Sequence, residues 1–221
     1  MIQCRNVLSA AQLAELKQAL AGADFADGSK TAGPAIRHLK KNLQLDDPEA
    51  NLRLGRQVLD ALWRHEMLNA WAVPRRYATP LFSRYQPGMA YGAHVDAGLM
   101  GGANPMRTDI SITVFLNEPS EYEGGELVIE IPGGQYQVKF AAGDAVAYPT
   151  FSLHRVNPVT SGERLVAVTW AQSVLRDPEA RKLHFDLLSA CSSLAKREPD
   201  AGELPVLQRV RHNLVRLLAE A

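Results

Sequence analysis

The middle of the chain is cut into short, apolar-rich segments by glycine and proline, and this punctuation constrains the fold more than any other feature. "LFSRYQ", "YGAHVD", "DISITVFLN", "GELVIEI", "QYQVKF", "DAVAYP", "SLHRVNPV" and "ERLVAVTWAQ" follow one another between Leu81 and Gln172. Each has the length of a strand. Asp109–Asn117 sets Ile110, Ile112, Val114 and Leu116 on one face at the two-residue period of a strand. Gly124-Gly125 marks one of the turns between them. Closely spaced short strands of this kind predict an all-β sandwich or barrel.

Helical patterns flank this region. Ser9 and Gln12 fit a capping box ahead of Leu13, Leu16 and Leu20. Asp47 and Pro48 read as the N-cap and first turn of a second helix, which carries Leu52, Val58, Leu59, Leu62 and Trp63 and stops before Pro74. These apolar side chains are assigned to packing against the sheet. Asp177-Pro178 repeats the start signal before Leu183, Leu187, Leu188 and Cys191. After the polar break "KREPDAGELP", a last helix offers Val206, Val210, Leu214 and Leu217. The expected fold is mainly β with flanking helices (α+β): a helical support region at 1–78, a β core at 79–174 and a helical appendage at 175–221. The apolar stripes of the last two helices predict packing on the barrel, against a second copy in a homodimer, or both.

Composition narrows the partners. The 221 residues suit one large domain, or one domain with a small appendage, and 46% of them are hydrophobic, ample for a core. Lysine plus arginine equals aspartate plus glutamate at 24 each, so no global field draws the chain to nucleic acid or anionic lipid. No apolar run approaches the ~20 residues of a membrane helix, and "MIQCRNVLSA" has no signal-peptide pattern. Cys4 and Cys191 form no disulfide framework. The expectation is a soluble protein of a reducing compartment, the cytoplasm.

His94 and Asp96 stand two apart in a strand-like run, so they share one face while Val95 takes the other. An imidazole and a carboxylate aimed into one interior point to a metal. His154 follows the Ala142–Asp144 turn, and a late strand beside an early one would bring it to the pair. His38, His65, His184 and His212 have no carboxylate at such spacing and are assigned to surface or structural roles. Two histidines and a carboxylate match the facial triad of non-haem Fe(II) enzymes, which leaves coordination positions open. Arg164 lies ten residues after His154. It is placed on a neighbouring antiparallel strand across the Pro158–Gly162 turn, where its fork could grip the distal carboxylate of a 2-oxoacid whose other end meets the metal. Residues 164, 166, 168 and 170 share a face, so Trp170 either lines that pocket or packs in the core. Tyr91, three before His94, falls on the opposite face of a regular strand and is assigned to packing unless the strand is bulged. The glycine-rich loop Ala97–Asp109 reads as a lid or binding loop, with Met100, Asn104 and Arg107 as candidates to meet a substrate. Lys40 and Lys41 are assigned to a solvated face, with a reach to the pocket mouth as the other reading.

Taken together, "RYQPGMAYGAHVD", "YEGGELVIE", "AGDAVAYPTFSLHRVNPVTSGERLVAVTW", "QSVLRD" and the early "KNLQL" resemble the bacterial PKHD-type hydroxylases, the PiuC/YbiX group of the Fe(II)- and 2-oxoglutarate-dependent dioxygenases. The resemblance covers nearly the whole chain. It implies a double-stranded β-helix (jelly roll), with Fe(2+) held by His94, Asp96 and His154, and 2-oxoglutarate held by Arg164 with a hydrogen bond from Tyr85. It further implies O2 as oxidant, L-ascorbate as an associated cofactor, and a link to iron uptake. The substrate, a prolyl peptide or a small molecule, is left open. Two other classes stay open at this stage: a cupin-like zinc hydrolase or lyase, and a non-catalytic module that senses iron or 2-oxoglutarate.

Overall fold

The computed structural model describes residues 1–219. The first part of the chain forms β1 (Ile2–Cys4), α1 (Ala10–Ala21), β2 (Phe25–Asp27), β3 (Lys40–Lys41), β4 (Leu43–Leu45), α2 (Pro48–Arg64), α3 (Glu66–Ala72) and β5 (Pro74–Tyr77). The middle forms β6 (Leu81–Tyr85), β7 (Ala90–His94), β8 (Leu99–Met100), β9 (Met106–Arg107), β10 (Ile110–Phe115), β11 (Tyr122–Gly124) and β12 (Leu127–Ile131). There follow β13 (Gly134–Val138), β14 (Ala145–Pro149), β15 (His154–Val156), β16 (Val159–Gly162) and β17 (Arg164–Ser173), then α4 (Pro178–Arg197) and α5 (Leu204–Leu218).

Local chemistry sets the helix starts. The Gln12 amide donates to the Ser9 hydroxyl, and the Ser9 amide donates to the Gln12 side chain. Asp47 accepts from the amides of Glu49 and Ala50, and Asp177 from that of Glu179, each with proline in the first turn. The single helix expected from Asp47 towards Pro74 is instead two. His65 breaks it: its Nδ1 accepts from the Leu68 amide, and its Nε2 meets the Arg5 carbonyl at 3.0 Å. The ring thus caps α3 and ties it to the N-terminus.

Two antiparallel sheets form a jelly roll. The larger runs β1-β14-β10-β17-β6-β4-β2, with β5 also paired to β17; the smaller runs β13-β12-β15-β7-β3. The region before residue 78 is therefore not only helical. It supplies β1, β2, β4 and β5 to the larger sheet and β3 to the smaller.

The larger sheet is buried on both faces. Ile110, Ile112 and Val114 of β10, with Leu165, Ala167 and Ala171 of β17, pack under α1–α3 through Leu16, Leu20, Leu54, Val58, Leu62 and Leu68. Its other face sets Phe115, Val146, Tyr148 and Val166 against Leu127, Ile129 and Val156 of the smaller sheet. The polar side chains of β10, Ser111 and Thr113, belong to this inter-sheet face and are also buried. Leu52 and Trp63 do not join the core: they stay 50% and 46% exposed, and Trp63 sets its ring edge-on to Tyr77 at 4.8 Å.

The C-terminal stripes follow expectation only in part, with Cys191 buried as expected and Leu187 and Leu188 half-buried. α4 buries Ala180, Arg181, His184 and Cys191, while Leu183 faces outward. Arg181 takes an inward position because its guanidinium donates to the carbonyls of Leu175 and Arg176. α5 packs on α4, yet Val206, Val210 and Leu217 remain exposed. Among the described residues no helix is long and apolar enough to cross a membrane, and both cysteines are free and buried.

Leu62 sits wholly inside the layer between α2 and the larger sheet. Leu62→Ala is expected to lower unfolding free energy by about 2–5 kcal/mol, read as a lower urea midpoint at unchanged slope.

Candidate active site

The site grows from one strand pair. β15 runs antiparallel to β7, and their register sets His154 directly opposite His94. Two residues further along β15, Val156 pairs with Tyr91, so β7 carries one extra residue between the two pairings. A bulge of this kind re-aims side chains. It turns Tyr91 towards the site, where its ring stacks on His94 with centroids 3.6 Å apart. The opposite-face packing expected of a regular strand does not occur. Asp96 lies just past the end of β7. Its Oδ1 is 3.6 Å from His94 Nε2 and its Oδ2 3.7 Å from His154 Nε2. The ligand-type atoms of these three residues all lie within 4.8 Å of one another.

Each of the three is held from behind. His94 Nδ1 is 2.8 Å from the Gly92 carbonyl, and His154 Nδ1 is 3.0 Å from the Ser152 carbonyl. A carbonyl only accepts, so in each ring Nδ1 carries a proton, and Nε2 is the nitrogen turned to the shared space. The Trp170 indole N–H and the Ser111 hydroxyl each donate to Asp96 Oδ2 at 2.8 Å. Burial pushes the Asp96 carboxyl up, but the bonds and charges from His94, His154, Trp170 and Ser111 outweigh it and bring it to about 2. Burial, assisted by His94, holds His154 below the ordinary histidine value against the pull of Asp96 and the Ser152 carbonyl. An anionic carboxylate beside a neutral imidazole is the protonation state that binds a divalent metal.

Arg164 opens β17 and pairs across the larger sheet with Tyr85 of β6. The two histidines belong to the smaller sheet, so His154 and Arg164 face each other across the roll rather than on adjacent strands. Residues 159–162, expected as a turn, form β16 and pair with β11. Arg164 is only 2% exposed, its Nε has no hydrogen-bond partner, and its guanidinium lies 5.0 Å from the Tyr85 ring centroid. Among the described residues it makes no ion pair.

His94, Asp96, His154, Arg164, Tyr85, Tyr91 and Trp170 line one cavity of about 270 Å³. Met100 reaches it from the small β8–β9 hairpin of the 97–109 loop. Asn104 is exposed, and Arg107 is spent on Asp109 at 2.7 Å and on the Ser173 carbonyl. Lys40 also lines the cavity and is buried, contrary to the solvated role assigned to it, whereas Lys41 is exposed. Lys40, Asn42 and Gln44 were recognisable in principle: they are polar residues at strand period, and all three are buried on the cavity side.

Residues 80–172 match the family model described as the 2OG-Fe(II) oxygenase superfamily. A PKHD-type hydroxylase of Acaryochloris marina is 47% identical over 97% of each chain, and one of Thioalkalivibrio sulfidiphilus is 49% identical over 97% of each. The chain belongs to the PKHD-type hydroxylases. It is thus an Fe(II)- and 2-oxoglutarate-dependent oxygenase, and its relatives' names set aside the zinc hydrolase and the non-catalytic sensor. The jelly roll is shared with a Pseudomonas putida prolyl-4-hydroxylase (TM-score 0.52, 22% identity, 78% of this chain and 91% of that one). It is equally shared with SnoN, described as a non-haem α-ketoglutarate-dependent epimerase from nogalamycin biosynthesis (TM-score 0.54, 15% identity, 79% and 76%). Two chemistries on one fold show that the architecture does not name a PKHD-type hydroxylase's substrate.

Trp170 touches the centre only through Asp96. Trp170→Phe keeps an aromatic ring but removes the indole donor, so affinity for Mn(II) is expected to fall about 10–100-fold, measured by calorimetric titration.

Proposed function

We propose that His94, Asp96 and His154 hold Fe(II), that Arg164 and Tyr85 hold 2-oxoglutarate, and that the enzyme hydroxylates a small molecule or a single side chain of a peptide. The observation that carries this reading is a buried arginine with no anion of its own, in the same cavity as a preorganised His-Asp-His cluster. The residues fit the ion: two imidazole nitrogens and one carboxylate oxygen converge, and among the described residues no fourth His, Cys, Asp or Glu joins the cluster. Bound iron would supply oxygen activation and the oxidative decarboxylation of 2-oxoglutarate to succinate and CO2, coupled to insertion of oxygen into a C–H bond.

The chain's own residues do the rest. The Arg164 fork offers two parallel donors to the distal carboxylate of 2-oxoglutarate. The Tyr85 phenol is kept neutral because burial raises its pKa, against the opposing influence of Arg164, so it acts as a donor. Trp170 and Ser111 fix the carboxylate of Asp96, and the carbonyls of Gly92 and Ser152 fix both imidazoles. Leu127, Val156 and Val168 give the cavity dry walls that limit side reactions. At about 270 Å³ the cavity sits near the low end of the ~300–1,000 Å³ usual for small-molecule sites. With 2-oxoglutarate in place, only a small group of the substrate enters.

The direct test is succinate formation from 2-oxoglutarate by the Fe(II)-loaded protein under air. His94→Ala, Asp96→Ala and His154→Ala are each expected to abolish it along with metal binding, while circular dichroism stays unchanged. Full turnover in any of them at saturating iron rejects the ligand assignment.

Arg164→Lys keeps the charge and loses the fork. A charge-assisted contact of this kind is worth roughly 1.5–3 kcal/mol, so the KM for 2-oxoglutarate is expected to rise about ten- to hundredfold at 1.4 kcal/mol per decade. Metal affinity should hold. An unchanged KM would remove Arg164 from the cosubstrate site.

Metal affinity also depends on pH. Protons compete for the imidazoles, and burial depresses His154. Loss through that residue should therefore begin only below its unperturbed value of about 6.5 and deepen as pH falls, in Mn(II) titrations across that range.

A further inference from the structure

Lys40 is not explained by iron or by 2-oxoglutarate. It projects from β3 into the cavity and is 8% exposed. Its ammonium donates to the Thr31 hydroxyl at 2.7 Å and lies 5.5 Å from the centroid of Tyr91, the ring that stacks on His94. Thr31 in turn donates to Gln44 at 2.8 Å, so Lys40 is positioned by a short polar chain. Among the described residues it makes no ion pair. The acidic groups that act on it are Asp96, which belongs to the His-Asp-His cluster, and Asp27, a surface residue bonded to Ser29. Burial lowers the ammonium to about 8, and these two carboxylates oppose the shift, so it still carries its charge at neutral pH.

Asn42 lies two residues further on the same face, next to Tyr85. It is buried and lines the cavity, with its side chain against the Tyr85 phenol, and neither its amide nitrogen nor its oxygen makes a well-aligned hydrogen bond. A buried cation without a counter-ion and a buried amide without a well-formed hydrogen bond both cost folding free energy. Charge matching shows what they lack. A divalent ion is balanced by Asp96 and the oxoacid end of 2-oxoglutarate, and Arg164 by the distal carboxylate. Lys40 is the cation left over.

We propose that Lys40 and Asn42 form a carboxylate subsite for the molecule to be hydroxylated, so that the substrate of this enzyme carries a free carboxylate close to the carbon that reacts. The ammonium keeps donors free after bonding Thr31, and the Asn42 N–H adds another. This subsite rests on the iron and 2-oxoglutarate reading above and goes beyond it by naming the substrate class.

The test uses the full chain loaded with Mn(II) and 2-oxoglutarate in the absence of oxygen. The probes are N-acetylglycine and N-acetyl-L-proline, each paired with its primary amide, and the readout is paramagnetic broadening of the probe's proton signals. The acids are expected to bind at least tenfold more tightly than the amides. Lys40→Met should lose that preference, and Lys40→Arg should keep part of it. Uptake of Mn(II) and 2-oxoglutarate by each variant, titrated in the same samples, establishes that it is folded. Equal binding of acids and amides by the wild type, or undiminished acid preference in Lys40→Met, overturns the subsite and leaves the oxygenase reading intact. Failure of the wild type to take up Mn(II) or 2-oxoglutarate overturns both.

Discussion

The pairing of His154 with His94 across β15 and β7 is the contact on which the rest of the site depends. Side chains directly opposite on antiparallel strands are close enough for two imidazoles to share one ion. A slip of one residue in either strand would send one imidazole to the far face. The bulge in β7 resolves a geometric conflict within that pair. It lets His94 keep its register while Tyr91 turns to stack on it. Gly92 stands within the bulge, where an added Cβ would meet Leu39 at 3.1 Å, so a larger residue there would press on the segment that brings Lys40 into the cavity.

The larger sheet provides the opposing wall. Helices cover one of its faces and the smaller sheet the other, so β10, β14 and β17 have no solvent side. A strand buried twice is held by packing along its whole length. That rigidity is what Arg164, Ser111 and Trp170 need, since each acts at a fixed distance from a partner on another element. Ser111 and Trp170 lie opposite each other on β10 and β17 and converge on the same oxygen of Asp96.

The sequence was most legible where the determining contacts are local. Ser9, Asp47 and Asp177 cap helices through bonds to residues two or three positions away, and the alternation of β10 follows from strand period alone. The His-x-Asp spacing and the face shared by Arg164 and Trp170 follow from strand period in the same way, whereas the approach of His154 to His94 depends on the pairing of strands far apart in the chain. What escaped depends on distant partners. His65 splits a helix because Arg5 is there to meet its ring, and Arg181 turns inward because two carbonyls before α4 accept from it. Lys40 was misread by residue type: lysine is so seldom buried that "KKNLQL" suggests a wet surface until the matching burial of Asn42 and Gln44 is seen. The sheet assignment of Arg164 was missed because β16, between it and His154, carries the chain from one sheet to the other.

Protonation and charge in the cavity follow one rule. Its one lining carboxylate, Asp96, is kept ionised by hydrogen-bond donors, and Arg164 and Lys40, its two buried cations, lack an acid of their own. Such an interior is electrostatically incomplete, because desolvated charge costs several kcal/mol unless matched. A protein selected for stability alone would place an acid beside Arg164 and another beside Lys40. This chain instead spreads those costs over aromatic faces, Tyr85 and Phe115 for the arginine and Tyr91 for the lysine. A π face moderates the cost of a buried cation without neutralising it, so the cation remains free to pair with an incoming anion. Unpaired cations resting on rings are the arrangement that the proposed carboxylate sites call for.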